Sequence, residues 1–129
     1  MRKLATIRRI ADIQPIEDAD AIEVATVDGW KVVIKRGEFA VGDLAVYLEI
    51  DSWVPHELAP FLSKGSEPRE YNGVKGERLR TIKLRGQVSQ GLLLTIDKTG
   101  HPNMPFYDIG DDLTEFLGIQ KWEAVLPAQ

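Results

Sequence analysis

Apolar and polar residues alternate along much of this chain. In "AIEVATVDGWKVVIKRGEF", residues 21–39, Ile22, Val24 and Thr26 share one parity and Glu23, Ala25 and Val27 the other. A period of two marks a strand whose faces meet different surroundings. Asp28-Gly29 follows, a pair that tolerates positive φ and closes a two-residue hairpin turn. Trp30, Val32 and Ile34 resume the alternation beyond it. After a turn at Val41-Gly42-Asp43, Leu44, Val46, Leu48 and Ile50 predict a second strand over about 44–50. Near the N-terminus, Leu4, Ile7, Ile10 and Ile13 recur every three residues, which suits a helix as well as a strand. The β-branched content and the stop at Pro15 favour a strand over about 4–12.

The remaining segments are less regular. "HELAPFLSK" allows a short helical turn before Pro60, limited by that proline. Residues 63–77, "SKGSEPREYNGVKGE", contain three glycines and a proline and predict a long exposed loop. "IGDDLTEFLGI" predicts a short helix near 111–117. Asp112 would cap it with Glu115 as capping-box partner, Leu113, Phe116 and Leu117 would form its apolar face, and Gly118 would end it. Residues 123–129, "EAVLPAQ", read as the start of a linker to a catalytic domain outside this chain, leaving 1–122 as the domain. About five strands, tight turns and little helix predict a mainly β fold, a five-stranded β-barrel of the OB type with short helices.

Composition narrows the function classes. At 129 residues, 43% apolar and 28% charged, the chain fits one domain with its own core. No apolar run approaches the ~20 residues of a membrane span, and the N-terminus lacks a secretory apolar core. The absence of cysteine excludes a disulfide framework and a thiolate zinc site. These features fit a cytoplasmic protein with no membrane partner. His56 and His101 are far apart and belong to no metal-ligand pattern. No nucleophile elbow, P-loop or dinucleotide fingerprint occurs. Glu17, Asp18 and Asp20 sit in a turn-rich stretch and read as a solvated loop.

Charge is distributed unevenly. The net charge is −4, yet residues 64–85 carry seven bases and three acids, a local +4 against −8 for the rest. Within that segment, Arg78 and Arg80 share a parity with Ile82 and Leu84, whereas Lys83 and Arg85 share the other with Leu79 and Thr81. Either the four cations split between the two faces, or a bulge near Thr81 shifts the phase and aligns Arg78, Arg80, Lys83 and Arg85 as one cationic strip over an apolar face of Leu79, Ile82 and Leu84. Such a strip matches the phosphates of a nucleic acid. Gln87, Ser89 and Gln90 add neutral donors and acceptors between Gly86 and Gly91, and Lys35 and Arg36 at the end of the first hairpin extend the patch. A solvated edge with a glycine at a barrel corner explains the same residues equally well. Trp30, Trp53, Tyr71 and Trp122 are candidates for stacking on bases, though such residues more often pack in a core.

"VATVDGWKVVIKRGEFAVGDLAVYLEIDSWVP", followed by "RLRTIKLRGQVSQGLLL", resembles the OB domain that precedes the nucleotidyltransferase domain in a family of ATP-dependent RNA ligases. The resemblance covers about residues 3–122 and rests on the hairpin, "VGDL", "IDSWVP" and "LRGQVSQGLLL" together. The last motif is also similar to OB modules that bind tRNA beside some aminoacyl-tRNA synthetases. The ligase resemblance implies an accessory domain that positions broken or nicked RNA ends for sealing. In such ligases a lysine of a K-x-D-G motif takes AMP from ATP, AMP passes to the RNA 5′-phosphate, and the 3′-hydroxyl displaces it. ATP and a divalent cation, Mg or Mn, serve the full ligase. Here Asp28-Gly29 is the only Asp-Gly pair, and Thr26 stands where the lysine would be. The resemblance therefore implies no catalytic residue, metal site or cofactor in this chain. Its implied partners are RNA or a nicked duplex containing RNA, and a nucleotidyltransferase domain in cis or in trans. A tRNA-binding module and a non-catalytic docking module are the alternatives.

Overall fold

The Asp28-Gly29 turn forms as the alternation predicts. In the computed structural model, which describes residues 3–96 and 108–123, both residues have positive φ, +48° and +84°. They join β3 (Ala19–Val27) to β4 (Trp30–Lys35), with Val27 opposite Trp30. The N-terminal stretch is a strand, but a bent one. β1 (Ala5–Arg9) pairs with β5 (Leu44–Leu48), and β2 (Asp12–Ile16) pairs with β3. Between them the Ile10 N–H donates to the Asp43 carbonyl and the Ala11 N–H to the Thr26 carbonyl. One run of chain thus serves two sheets. The three-residue spacing of Leu4, Ile7 and Ile10 reflects this bend, and all three are buried.

β5 is apolar on both faces because it divides two cores. Val46 and Leu48 pack with Leu4, Ile7, Val54, Leu94, Leu113 and Ile119. Ala45 and Tyr47 pack on the other side with Ile10, Val27, Val32, Ile34 and Leu93. Each fully buried aliphatic side chain contributes about 1.5–3 kcal/mol relative to exposure. The Tyr47 hydroxyl donates to the Gln90 carbonyl (2.8 Å), and burial pushes its pKa up. β11 (Leu92–Leu94) completes this sheet in the order β1-β5-β11. The other ladders are β2-β3-β4, the hairpin β9 (Thr81–Leu84) with β10 (Gln87–Gln90), and β12-β6-β8-β7. The last comprises β12 (Gln120–Lys121), β6 (Ser52–Pro55), β8 (Val74–Arg78) and β7 (Arg69–Tyr71). The described residues are therefore mainly β, in twelve short strands, and their ladders do not close into a single five-stranded barrel.

Two local predictions change. Residues 63–77 are not one long loop: Asn72-Gly73, both at positive φ, turn β7 into β8. An Asn-Gly pair is a strong hairpin signal, and here it outweighs the glycines and charges around it. Before Pro60 there is a single hydrogen-bonded turn, in which the Leu58 N–H donates to the Pro55 carbonyl, and the 3-10 helix Pro60–Ser63 follows it, since a proline is tolerated in a first turn. No helix forms over 111–117. A single turn remains, in which the Leu117 N–H donates to the Leu113 carbonyl and the Ile119 N–H to the Thr114 carbonyl. The competitor is Thr114. Its buried hydroxyl accepts the N–H groups of Leu4 and Ala5 (3.0 and 3.1 Å), tying this segment to the N-terminal strand. Asp112 accepts the Thr114 N–H and hydroxyl, a capping-type bond two residues on, in place of the reciprocal capping box with Glu115. Those bonds hold the Asp112 carboxyl below its usual range. Gly118 does take positive φ, +71°. The predicted linker lies largely outside the described residues, as does His101. Among the described residues, no helix is long and apolar enough to cross a membrane.

Candidate nucleic-acid interface

The cationic segment divides where the chain changes partner. β8 pairs with β6, and the pairing runs on one step past its end: the Leu79 N–H donates to the Ser52 carbonyl and the Asp51 N–H to the Leu79 carbonyl. Leu79 is therefore buried, at 4% exposure. Beyond Arg80 the chain leaves that sheet and enters the β9–β10 hairpin, turned by Arg85-Gly86 at φ +50° and +81°. Of the two arrangements the sequence allowed, the cations are divided rather than aligned by a bulge near Thr81, and a change of sheet divides them.

Arg78 faces a closed corner. Its Nε and Nη2 donate to Asp51 Oδ1 at 2.9 and 2.7 Å, and its guanidinium lies 3.8 Å from the centre of the Trp122 ring. Tyr71 stands between Trp53 and Trp122, with ring centres 5.3 and 6.5 Å away. The Trp53 indole N–H donates to the Val74 carbonyl, and the Tyr71 hydroxyl accepts the Glu123 N–H. Lys121 Nζ lies 3.9 Å from Asp51. The cation–π contact of Arg78 with Trp122 and the bond from the Glu123 N–H to Tyr71 fasten residues 122–123 to the β6–β8 sheet, while the forked ion pair ties Asp51, just before β6, to Arg78 in β8. Of the four aromatics considered for base stacking, three are gathered here, and Trp30 stands half-exposed beside the first hairpin turn. A small cleft of about 130 Å³ lies over this corner, with Arg69 and Arg80 in its lining.

Arg80 faces outward. Among the described residues it has no ion pair, and neither do Lys83 and Arg85. Cross-strand partners in an antiparallel hairpin share a face. Ile82 lies opposite Ser89 and Leu84 opposite Gln87, whereas Lys83 lies opposite Val88 and Thr81 opposite Gln90. Lys83 therefore occupies the face opposite Ile82 and Leu84, and Arg85 the tip. Ser89 is buried and its Oγ accepts the Val33 N–H (2.9 Å), which leans the first face toward β4. Ser89 thus holds the hairpin in place. Gln87 caps its own neighbour's carbonyl, that of Val88, and Gln90 offers its carbonyl to Tyr47. Lys35 and Arg36 end β4, exposed; the Arg36 guanidinium donates to the Asp20 carbonyl, and neither residue lines the cavities at Arg80.

Beside Arg80 opens a groove of about 700 Å³. Phe61, Leu62, Ile82, Leu84 and Leu92 supply apolar surface. Lys64, Arg69, Arg78 and Arg80 supply four cations against Glu67 and Glu77. Arg69 is paired with Glu77 at 2.9 Å, which raises its pKa further. Ile82, Leu84 and Phe61 are 47%, 40% and 53% exposed, so of the expected apolar face Leu79 is buried while Ile82 and Leu84 are about half open. Sequence reasoning missed Phe61, Lys64, Arg69 and Asp51 at these two places. The Asn-Gly signal at 72–73 was the one cue that would have folded Arg69 back beside Glu77. Among the described residues no cluster of three or more His, Asp or Glu forms a metal site. Glu17 and Asp18 turn β2 into β3, and His56 contacts the Ser63 hydroxyl at 3.4 Å.

A protein-family model described as an OB-fold domain matches residues 4–96. The chain belongs to the OB-fold domain family. Its structure is similar to that of Naegleria gruberi RNA ligase with pyrophosphate, at 50% identity and a TM-score of 0.87, over 98% of this chain and 37% of the ligase chain. A mutant of the same ligase with ATP and Mn matches at 51% identity and a TM-score of 0.86, over 97% of this chain and 37% of that one. A further mutant with AMP and Mn gives 52% and 0.85, over 95% and 36%. The OB-fold chain thus spans little more than a third of the ligase chains it matches. No curated protein matches it.

Proposed function

We propose that this OB-fold domain is the accessory nucleic-acid-binding domain of an ATP-dependent RNA ligase and positions broken or nicked RNA ends for sealing. The observation that carries the reading is Arg80: a cation with no acidic partner among the described residues, at the rim of an open groove, inside a segment with a local charge of +4 in an acidic chain. An Arg left free of carboxylates keeps its full fork of N–H donors for a phosphate. Identity of about half with the Naegleria gruberi ligase supports the same reading. Lys83 and Arg85 extend the phosphate contacts along the hairpin. Arg78 lines the groove too, but two of its N–H groups go to Asp51, so its share is smaller. Lys35 and Arg36 form an outlying part of the patch, and Gln87 and Gln90 offer side-chain amides beside it.

In this reading residues 1–122 form the domain and 123–129 lead toward a nucleotidyltransferase domain, in cis or in trans. That domain would supply the AMP-accepting lysine and would use ATP with Mg or Mn. The test is binding of this chain to a nicked RNA-containing duplex, to the intact duplex and to tRNA. Preference for the nick supports the ligase role. Preference for folded tRNA would replace it with the tRNA-module reading, and no binding at any salt concentration would reject both.

A further inference from the structure

The β12-β6-β8-β7 sheet sets Ser52, Val54 and Leu79 on its core face, all three buried. Its other face is built from aromatic rings and guanidinium groups. Cross-strand partners share a face. Trp53 lies opposite Arg78 and Gln120, Tyr71 opposite Val74, and Arg69 opposite Gly76, so the register gathers Trp53, Tyr71, Arg69 and Arg78 there. Trp122, two residues past Gln120, joins them with its ring against the Arg78 guanidinium. Arg80 reaches the same place from just beyond β8, and the cleft lined by these six side chains contains one acid, Glu70. A guanidinium carries five N–H groups. Arg78 commits two to Asp51 and Arg69 one to Glu77, while Arg80 has no ion pair among the described residues. Donors from three arginines are therefore left over at one recess, and apolar walls focus the field of such cations.

Size selects the ligand. The cleft holds about 130 Å³, whereas sites for a whole small organic molecule begin near ~300 Å³. It admits one anionic group and not a nucleotide. A phosphodiester within a strand is flanked by sugars on both sides and carries a single charge. A phosphate monoester at a strand end has one substituent, three acceptor oxygens and a charge of about −1.5 to −2 near neutral pH. Resting on the nucleic-acid reading above, we propose that this cleft holds the terminal phosphate monoester of an RNA strand at a break. Arg69 and Arg80 bind its oxygens with paired N–H groups, and Arg78 adds the donors that Asp51 leaves free. Arg80 also lines the neighbouring groove, so a phosphate held here is continuous with contacts along the hairpin. The aromatic corner thus reads the chemical state of the end as well as fastening residues 122–123.

Three nicked RNA duplexes of one sequence test this: hydroxyls on both sides of the nick, a 5′-phosphate, and a 3′-phosphate. Affinity of the chain for each is measured at one salt concentration. A phosphate nick should bind about tenfold more tightly than the hydroxyl nick, the size of one charge-assisted hydrogen bond net of water. The end that gives the gain is the end that the cleft holds. Arg69→Gln should bring the ratio of phosphate to hydroxyl affinity down to about two or less. Arg69 is exposed in its pair with Glu77, so the melting temperature of this variant should be preserved, which separates lost recognition from lost folding. Lys75→Gln removes an exposed cation of the same strand that does not line the cleft, and should leave the ratio unchanged. Equal affinity for the three nicks would overturn the cleft assignment and leave the nucleic-acid reading standing. So would a ratio that Arg69→Gln keeps, or one that Lys75→Gln lowers as far, since general charge would then explain it. Absence of binding to any nick would overturn both.

Discussion

Arg78 and Arg80 are two residues apart and do opposite things. Arg78 is held by Asp51 and Trp122 and fastens Trp122, just past the last described strand, to the β6–β8 sheet. Arg80 stands at the point where the chain leaves that sheet, with no acid beside it among the described residues. The corner around Arg78 is closed: aromatic rings stack there and backbone meets backbone. The hairpin beyond Arg80 is open, with every residue of β9 exposed. The same residue type thus serves architecture where its donors are consumed and, in the proposed function, recognition where they are left over. Counting cations along a sequence merges the two.

The largest effect that could break this contrast is steric. Gly76 lies in β8 at the closed corner, and a Cβ there would fall 2.0 Å from the Val54 carbonyl oxygen. Gly76→Ala should cost about 3 kcal/mol, read as a lower urea midpoint, because backbone cannot move aside as a side chain can. Removal of the Arg78 clamp comes next. Arg78→Ala should lose about 1–2 kcal/mol, limited by partial exposure of the pair to solvent, and should release Trp122, read as a red shift in its fluorescence. At the open hairpin, a Cβ on Gly86 meets nothing within 4 Å, and only its φ of +81° opposes it. Gly86→Ala should therefore cost no more than about 1 kcal/mol. Arg80→Ala should change stability by less than about 0.5 kcal/mol while weakening RNA binding severalfold. A fall in stability as large as that of Arg78→Ala would erase the distinction between the two arginines.

The smallest effect concerns acid. Asp112 has a folded pKa below its ordinary value of 3.8 because Thr114 donates to it. A depressed carboxyl contributes stability that is present above its unfolded pKa and lost as pH falls through the folded one. Acid unfolding of the native chain should therefore show a loss below about pH 4 that Asp112→Asn lacks. Comparison of urea midpoints at pH 6 and pH 3 for the two proteins reads this directly.

Much of the architecture was legible where a local rule acts alone. The β3–β4 hairpin combines a period of two with Asp-Gly at its turn, and both point the same way. The N-terminal strand was legible as a strand, but not its bend, because Ile10 and Ala11 bond to residues more than ten positions away. Parity failed at residues 78–85 for a physical reason. It assumes one continuous strand, and this chain changes sheets after Leu79, so Ile82 and Leu84 face an open groove. The helix near 111–117 failed because Thr114 bonds to the N-terminal strand, a partner that helix signals do not encode. Of the candidate site, the identity of the cations was legible, and which of their two possible arrangements forms was not. Asp51 and Trp122, which take Arg78 out of the exposed set, are separated from it by 27 and 44 residues.

The most direct test is the salt dependence of RNA affinity for the native chain and for a variant carrying Arg80→Ala, Lys83→Ala and Arg85→Ala. Each phosphate contact contributes about 0.7–0.9 to the slope of log affinity against log salt. The account predicts that the variant keeps its melting temperature, binds RNA more weakly and has a slope lower by about two to three. Equal affinities and equal slopes would contradict it and identify the exposed cations as a solvated edge.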